Sequence, residues 1–399
     1  LFDPEFQDPP TFATAFASIF TAPVLPVFGL GSSASPPYDY PRPAGLSAGL
    51  RPNGGLLNGR VNAVGLIDPD IEPMYLDNWF AGVQRQVGRY VVVEADYIGS
   101  RTRNGYIRYD VNRFAGDLLD GTFNGVVPGF GAYEFAQATE TASYHGFAVA
   151  LRVSKKDLSL GAAYTLGRSR DTASGQDNSG TRQDAYAPPS VEDGYSDHDI
   201  RHKLAVSLNW KLPGPASGAA KSILGGWQLA GVMIAQTGAP FSVFCGSPFN
   251  PVRDSSGKIV GNSGCDYNAD GTNNDRPNVP SFGDSKGGLG NDDFLSGIFK
   301  ASDFPAPGLG QRGNLGRNTF RGPRYFNVDL SLIKGFRIPW FTSTGTGSGA
   351  DLQLRLEGFN VFDTLNLLSP VNNMASPLFG KSVSAYAGRS FQLAGRLSF

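Results

Sequence analysis

The residues best suited to chemistry in this sequence are oxygen-bearing side chains at alternate positions of the segment CDYNADGTNNDRPN, residues 265–278. Asp266, Asn268 and Asp270 precede Gly271 in the order that opens an EF-hand loop. The Gly of such a loop permits a sharp turn, and the alternating oxygens face a bound Ca²⁺ ion. The spacing therefore indicates a loop that could hold a hard divalent cation.

The second half of this loop departs from the EF-hand pattern. Pro277 stands where a bidentate Glu usually completes the coordination, so Asp275 or Asn274 would have to replace it. We predict a weak Ca²⁺ site and no other cofactor, with the ligands Asp266, Asn268, Asp270 and Asp275. The alternative is a solvated loop rich in Asx turns, which needs no ion.

The sequence contains two cysteines, Cys245 and Cys265, in the same region of the chain. In an oxidising compartment, such a pair favours a disulfide. Closing a loop of this size would stabilise the fold by about 3 kcal/mol in the chain-entropy model. The alternative is a pair of unlinked, buried thiols.

The histidines do not predict a metal site. His198 and His202 are four residues apart, which is about 13 Å along a strand and too far for one ion. The charged residues around them instead favour an ion-pair cluster of Asp197, Asp199 and Arg201. No GxSxG segment accompanies the Ser, His and Asp residues, so we predict a protein that is not an enzyme.

Composition favours many strands joined by irregular loops. The 399 residues include 52 Gly and 28 Pro, while only 17% are charged. No run approaches the roughly 18 consecutive apolar residues of a transmembrane helix. The net charge of -1, without a basic block, argues against a nucleic-acid partner.

Segments of alternating polarity recur along the chain and predict nine strands. Each is about the length that a tilted strand needs to cross a bilayer. Leu204 and Leu208 lie on one face of a strand while Lys203 and Asn209 lie on the other, so a wet interior is favoured. The predicted strands are 78–88, 90–99, 144–154, 158–168, 201–211, 226–236, 325–335, 351–361 and 389–399.

The connections between these strands alternate between short and long. The long ones are 100–143, 169–200, 237–324 and 362–388. This asymmetry is typical of an outer-membrane barrel with short periplasmic turns and long external loops. A soluble sandwich alternates in the same way within strands but gives no reason for such long loops. The fold class predicted is all-β, an antiparallel transmembrane β-barrel in contact with outer-membrane lipid.

Aromatic residues near the strand ends fit the girdles of such a barrel, although ordinary core packing is the alternative. They are Trp79, Tyr97, Tyr164, Trp210, Trp227, Trp340 and Phe399.

Nine is an odd number of strands, whereas bacterial single-chain barrels usually have an even number. We therefore expect this chain to be the carboxy-terminal portion of a larger barrel. Residues 78–399 are predicted to form that portion, with 237–324 as its longest external loop. Residues 1–77 are rich in Pro and Gly and are predicted to form an external irregular segment, with a disordered linker as the alternative.

Several motifs, in order along residues 70–399, resemble the barrel of Oar-like TonB-dependent transporters. They are NWFAGVQRQVG with VEADYIGSRTRNGY, SDHDIRHKLAVSLNWKLPG, GGWQLAGVMIAQTGAPFSV, GRNTFRGPRYFNVDLSLIKGF, LRLEGFNVFDTLNL and FQLAGRLSF. The resemblance implies a location in the cell outer membrane, a large barrel, and a carboxypeptidase-regulatory-like domain and plug upstream. It also implies that Phe399 is read by the barrel-assembly machinery.

The function implied is energised nutrient uptake through a plug-gated barrel, with the TonB complex as partner. The ligand would be a small molecule, a carbohydrate or a peptide that contacts the external loops. No plug or TonB box is found in this sequence, so we expect both to be supplied upstream and this chain not to transport by itself. The alternative is a structural or adhesive barrel without active transport.

Overall fold

A computed structural model describes residues 61–127, 130–174, 182–215, 218–283, 288–342 and 349–398. Its strands are β1 (Val61–Ile67), β2 (Tyr75–Val87), β3 (Val91–Asp110), β4 (Phe130–Lys155), β5 (Leu158–Asp171), β6 (Gly194–Tyr195), β7 (His202–Lys211), β8 (Trp227–Gln236), β9 (Pro240–Phe241), β10 (Pro251–Arg253), β11 (Ile259–Asn262), β12 (Phe320–Arg321), β13 (Tyr325–Thr342), β14 (Gly349–Phe359) and β15 (Ser390–Ser398). Two short helices are α1 (Ala219–Leu224) and α2 (Asn291–Ser296).

Nine of these strands form one antiparallel sheet in the order β15-β14-β13-β8-β7-β5-β4-β3-β2. Each strand pairs with the next long strand along the chain, as in an up-and-down meander. All nine correspond to the segments predicted from alternation, so the antiparallel all-β fold is confirmed. Within the described ranges, no helix is long and apolar enough to span a membrane.

The structure adds features that alternation did not predict. Strand β1 lies within residues 1–77 and pairs in parallel with the start of β4. Strands β3 and β4 are 20 and 26 residues long, well beyond the predicted 90–99 and 144–154. Their extensions pair with each other through Asp110 and Glu134. Both faces of these extensions mix polar and apolar residues, so a period-two search does not find them. Residues 1–60 lie outside the described part.

The sheet has one apolar and one polar face, and the strand register aligns them. One row across β5, β7, β8, β13, β14 and β15 consists of Leu160, Leu208, Gly231, Leu330, Gly358 and Phe391. The neighbouring row across β7, β8, β13, β14 and β15 consists of Asn209, Ala230, Ser331, Glu357 and Gln392. The first row suits lipid and the second suits a water-filled interior.

The polar face carries charged side chains in the middle of strands. Arg152 of β4 pairs with Glu94 of β3 at 3.1 Å, and Arg355 of β14 lies 3.8 Å from Glu357. Arg355 and Glu357 keep part of their side chains accessible, with 43% and 25% exposed. The charged groups therefore keep partial contact with water, while Arg355 Nε and Ser331 Oγ on the same face are buried without a partner among the described residues.

The predicted girdle aromatics that the structure describes lie on the apolar face. Trp79 is opposite Gly99, and Tyr97 is opposite Phe147. This register places Trp79 and Tyr97 on the same face of the sheet as Val83 and Val87. Trp79 and Trp210 are each 39% exposed. The side chain of Trp340 and residue Phe399 lie outside the described part of the chain.

The four long connections all emerge at one end of the sheet, and we call their described residues the cap. The cap comprises 111–127, 172–174 with 182–201, 237–283 with 288–324, and 360–389. At the opposite end, the links 88–90 and 156–157 are tight. The predicted alternation of short and long connections is therefore present.

The buried apolar core lies in the cap rather than in the sheet. Phe299 is 4% exposed, and its ring centroid lies 4.6 Å from that of Phe320 and 5.3 Å from that of Phe304. The cluster comprises Phe241, Val243, Phe294, Ile298, Phe299, Phe304, Leu315, Phe320, Leu367 and Phe379. Burial of this apolar surface makes the cap a folded unit, not a set of solvated loops.

Candidate functional site

The predicted cation loop lies in the interior of the cap. Its backbone is held by the connection after β3, since Gly116 N donates to Asn268 O at 2.6 Å and Leu118 N donates to Ala269 O at 2.8 Å. The side chain of Asn268 donates to the carbonyl of Gln183, in the connection after β5. Three external connections therefore meet at this loop.

Cys245 and Cys265 form a disulfide in the structure, with their Cα atoms 5.6 Å apart. The Cys245 N–H also donates to the carbonyl of Asp275 at 2.8 Å. The disulfide and this backbone bond join the two ends of the cation loop to the same short segment. The position of Cys265 directly before Asp266 thus fixes where the loop begins.

The first half of the loop turns around its own side chains. The Asp266 carboxylate accepts hydrogen bonds from Asp270 N at 3.1 Å and Gly271 N at 2.8 Å. Asn268 Oδ1 accepts from Asp270 N at 3.0 Å, and Asp270 Oδ1 accepts from Thr272 N at 2.7 Å. Gly271 has a φ of 87°, which glycine adopts without a Cβ penalty. The alternating oxygens predicted from the sequence therefore line the inside of one turn.

Asp275 enters the turn from the other side. Its Oδ2 accepts from Asn268 N at 2.8 Å. Its Oδ1 is buried and has no hydrogen-bond partner among the described residues. Asp266, Asn268 and Asp275 are each 0% exposed, and Asp270 is 4% exposed. The structure thus brings all four predicted ligands into one buried cluster.

Among the described residues, no three Asp, Glu, His or Cys side chains are arranged around one position that a metal ion could occupy. Asn274, the predicted alternative to Asp275, instead donates its side-chain amide to the carbonyl of Arg182 at 3.0 Å. The oxygens of the cluster are engaged mainly with backbone N–H groups.

Burial has a large electrostatic effect on these carboxyl groups. Desolvation raises the pKa of Asp275 to about 8, with further contributions from the charges of Asp270 and Asp266. Desolvation and the Asp270 charge raise the pKa of Asp266 to about 6. Burial also raises the pKa of Asp270, against the opposing effect of several hydrogen bonds and of Arg113. Three carboxyl groups share a site where negative charge is disfavoured.

Two neighbouring arginines are paired with other acids, whereas Arg182, which lines the same cavity as Asp270, lies over the ring of Tyr109 and forms no ion pair among the described residues. Arg276 forms an ion pair with Glu192 at 2.6 Å, and Arg113 pairs with Asp110 at 2.9 Å. Arg113 reaches the loop only through its Nη1, which donates to the carbonyl of Asp270 at 3.0 Å. Within the described ranges, the three carboxylates of the loop form no ion pair with a Lys or Arg side chain.

Two of the histidines form hydrogen bonds with tyrosine hydroxyls. His202 Nδ1 lies 2.7 Å from the hydroxyl of Tyr164, and His145 Nδ1 lies 2.8 Å from that of Tyr97. His198 is exposed.

The ion-pair interpretation of this region is confirmed for two of its residues. Asp199 pairs with Arg321, and Asp197 lies 3.6 Å from Arg317. Arg201 differs from the prediction, because its Nη1 donates to the carbonyl of Gly167 at 3.3 Å.

Sequence reasoning did not predict the basic partners of these acids. Arg317 is 1% exposed at its side chain and contacts Asp171 and the carbonyl of Glu192. Its partners lie more than 120 residues earlier in the chain. Because no local spacing relates such residues, a single sequence carries little signal for the pairing.

A polar cavity of about 240 Å³ adjoins the cation loop. The Arg182 guanidinium lies 4.5 Å from the ring centroid of Tyr109 at this cavity. Its wall includes the charged or hydroxyl-bearing side chains of Tyr109, Asp110, Arg113, Arg182, Asp270 and Thr272, together with apolar surface. The cap therefore offers a recess in which a small polar molecule could be bound.

An antiparallel meander with an apolar and a polar face, and with all its long connections at one end, defines an outer-membrane β-barrel protein. The chain belongs to the outer membrane beta barrel domain family, whose model matches residues 6–392. This places the protein in the outer membrane, as predicted.

Solved structures similar to this chain include the outer membrane transporter YddB from Escherichia coli, with 11% identity and a TM-score of 0.44. The alignment covers 84% of this chain and 34% of YddB. The FrpB iron transporter from Neisseria meningitidis has 10% identity, a TM-score of 0.37, and coverages of 83% and 32%. The ferric citrate transporter FecA has 12% identity, a TM-score of 0.36, and coverages of 80% and 30%. The chain thus spans about a third of the length of these proteins. A comparison with curated proteins gives no match.

Proposed function

We propose that this chain forms part of the wall and the external cap of an energised outer-membrane transporter of the TonB-dependent, Oar-like type. The observation that carries the proposal is the combination of a hydrated sheet face with a folded cap at one end only. A hydrated interior suits a wide barrel that a plug can occupy, and a folded cap suits selective binding of a ligand.

The polar face supports passage of a solute rather than a filled interior. Lys203 of β7 and Asp329 of β13 lie on this face with Arg355. In a narrow barrel, packed side chains would have to pair each of these charges. Strands β2 and β15 have one described neighbour each. We expect further strands, supplied upstream with the plug and the TonB box, to pair with them.

The cap would bind the nutrient, and an inner-membrane TonB complex would move the plug. Binding energy would be spread over many contacts without covalent chemistry. The cavity beside Tyr109 and Arg113 is a described recess of a size and lining suited to a small polar ligand. In this account, Phe399 would serve recognition by the barrel-assembly machinery.

The second candidate function is a structural or adhesive barrel without uptake. The folded cap exposes large apolar side chains, among them the aromatic rings of Tyr186 and Phe362. Exposed apolar groups of this kind mark contacts with other surfaces, which favours the second function.

Deletion of the complete gene separates the two functions. If the deletion cells no longer deplete one or a few compounds from the medium, and complementation restores this depletion, transport is supported. Unchanged depletion of every compound, with loss of surface attachment, supports the adhesive role.

A further inference from the structure

The acidic turn in the cap, residues 266–275, has a property that its fold alone does not require. Asp275 is completely buried, and its Oδ1 has no hydrogen-bond partner among the described residues. The other oxygen of the same carboxyl group accepts from Asn268 N, which directs the carboxyl group into the turn. A buried, unpartnered carboxylate oxygen is costly, so a ligand for it is expected.

The charge of the turn points to the chemistry of that ligand. Asp266, Asp270 and Asp275 lie within one turn, and each is at most 4% exposed. Arg276 and Arg113 beside the turn are paired with Glu192 and Asp110. Arg182 lines the same cavity as Asp270, but its guanidinium lies over the ring of Tyr109 and forms no ion pair with the turn among the described residues. The cluster therefore combines three acidic groups with no side-chain cation of its own in the described ranges. A positively charged ligand would remove this imbalance.

The ligand atoms available are hard oxygens. Three carboxylates and the amide oxygen of Asn268 belong to the turn, and each of these oxygens except Asp275 Oδ1 accepts a hydrogen bond in the structure, so the side chains would have to reorient around a bound ion. The described Cys residues are in a disulfide, and no His belongs to the cluster. Hard oxygen ligands at this spacing suit Ca²⁺, which accepts 6 to 8 oxygens in flexible geometry. Softer metals prefer imidazole or thiolate ligands.

We propose that Asp266, Asn268, Asp270 and Asp275 form a Ca²⁺ site that joins three external connections of the cap. The turn contacts the connection after β3 through Gly116 and the connection after β5 through Gln183. Occupation by Ca²⁺ would therefore rigidify the cap. The absence of a twelfth-position Glu places the affinity in the range of extracellular modules, at a Kd of about 0.1 to 1 mM.

Calorimetric titration of the chelator-stripped protein in detergent with Ca²⁺ tests the proposal. The variants Asp266→Asn and Asp275→Asn remove charge with little change in shape. Asp254→Asn is the matched control, because Asp254 lies in the same connection but is exposed and caps its own turn at Ser256 and Lys258. We expect one saturable Ca²⁺ site in the parent and the control, and at least about tenfold weaker binding in both cluster variants.

A second measurement covers the case in which a variant fails to fold. Amide hydrogen exchange of the parent is compared with and without Ca²⁺, and slower exchange confined to peptides from 265–276 and their contacts supports the site. The proposal is overturned by a folded parent that binds no Ca²⁺ at millimolar concentration. It is equally overturned by cluster variants that bind like Asp254→Asn, or by Ca²⁺ binding that leaves exchange of 265–276 unchanged.

Discussion

Arg276 and Glu192 form an ion pair of 2.6 Å inside the cap, with only 3% and 5% of their side chains exposed. Arg276 directly follows Asp275 of the cation loop, whereas Glu192 belongs to the connection after β5. The pair therefore fixes the position of one external connection against another. Because Arg276 is paired with Glu192, Arg276 forms no ion pair with the carboxylates of the adjacent acidic turn in the described residues.

Breaking this pair should destabilise the cap. We expect Glu192→Gln to lower the free energy of local unfolding by about 3 to 5 kcal/mol, because it leaves the buried Arg276 charge unpaired. The control is Asp77→Asn, which breaks the exposed Arg103–Asp77 pair and should cost at most about 1 kcal/mol. Native-state hydrogen exchange of cap peptides measures the first effect, and exchange of peptides from β2 and β3 measures the second. Equal, small effects of the two substitutions would show that the cap does not depend on the buried pair.

The apolar core of the cap can be tested within a single helix. Phe294 of α2 is 2% exposed, while its neighbour Leu295 is 45% exposed. Phe294→Ala should destabilise the cap by about 3 to 5 kcal/mol through loss of buried surface and creation of a cavity. Leu295→Ala should change stability little, because the side chain already contacts solvent. Limited proteolysis should cut the cap faster in the first variant only, and equal rates would contradict the packed core.

The disulfide should be present in protein isolated from the outer membrane. Unreduced peptide mapping is expected to recover Cys245 linked to Cys265. The double variant Cys245→Ser, Cys265→Ser should lose about 3 kcal/mol of cap stability, since the closed loop spans 20 residues. Labelling of both thiols in the absence of reductant would reject the pairing.

The assignment of the two sheet faces predicts opposite responses at adjacent positions of β15. Leu393 aligns with Leu356 and Leu332 on the apolar face, and Gln392 aligns with Glu357 and Ser331 on the polar face. Leu393→Lys should destabilise the lipid-embedded protein by about 2 to 4 kcal/mol if it lies near the bilayer midplane. Gln392→Lys should be close to neutral. Unfolding in lipid vesicles measures both, and equal costs would contradict the assigned faces.

The sheet was predictable from the sequence because lipid and water impose opposite requirements on alternate residues. This pattern identified all nine long strands, for example Leu204 to Leu208 against Lys203 to Asn209 in β7. The ends of β3 and β4 mix polar and apolar residues on both faces, so they were missed, as was the short strand β1. The turn at Asp266 was identified because its oxygen-bearing side chains are close in sequence. The arginine pairs were not, because Arg317 and Asp171 are 146 residues apart.

The most direct test of the account is the energy dependence of uptake by the complete gene product. Initial uptake rates of labelled nutrients are compared in deletion and complemented cells, with and without a protonophore, after surface exposure of the cap is verified by labelling. We predict that a gene-dependent component exists for at least one nutrient and disappears when the proton gradient is abolished. A gene-dependent component that persists without the gradient, or no such component in cells that display the protein, would contradict energised transport.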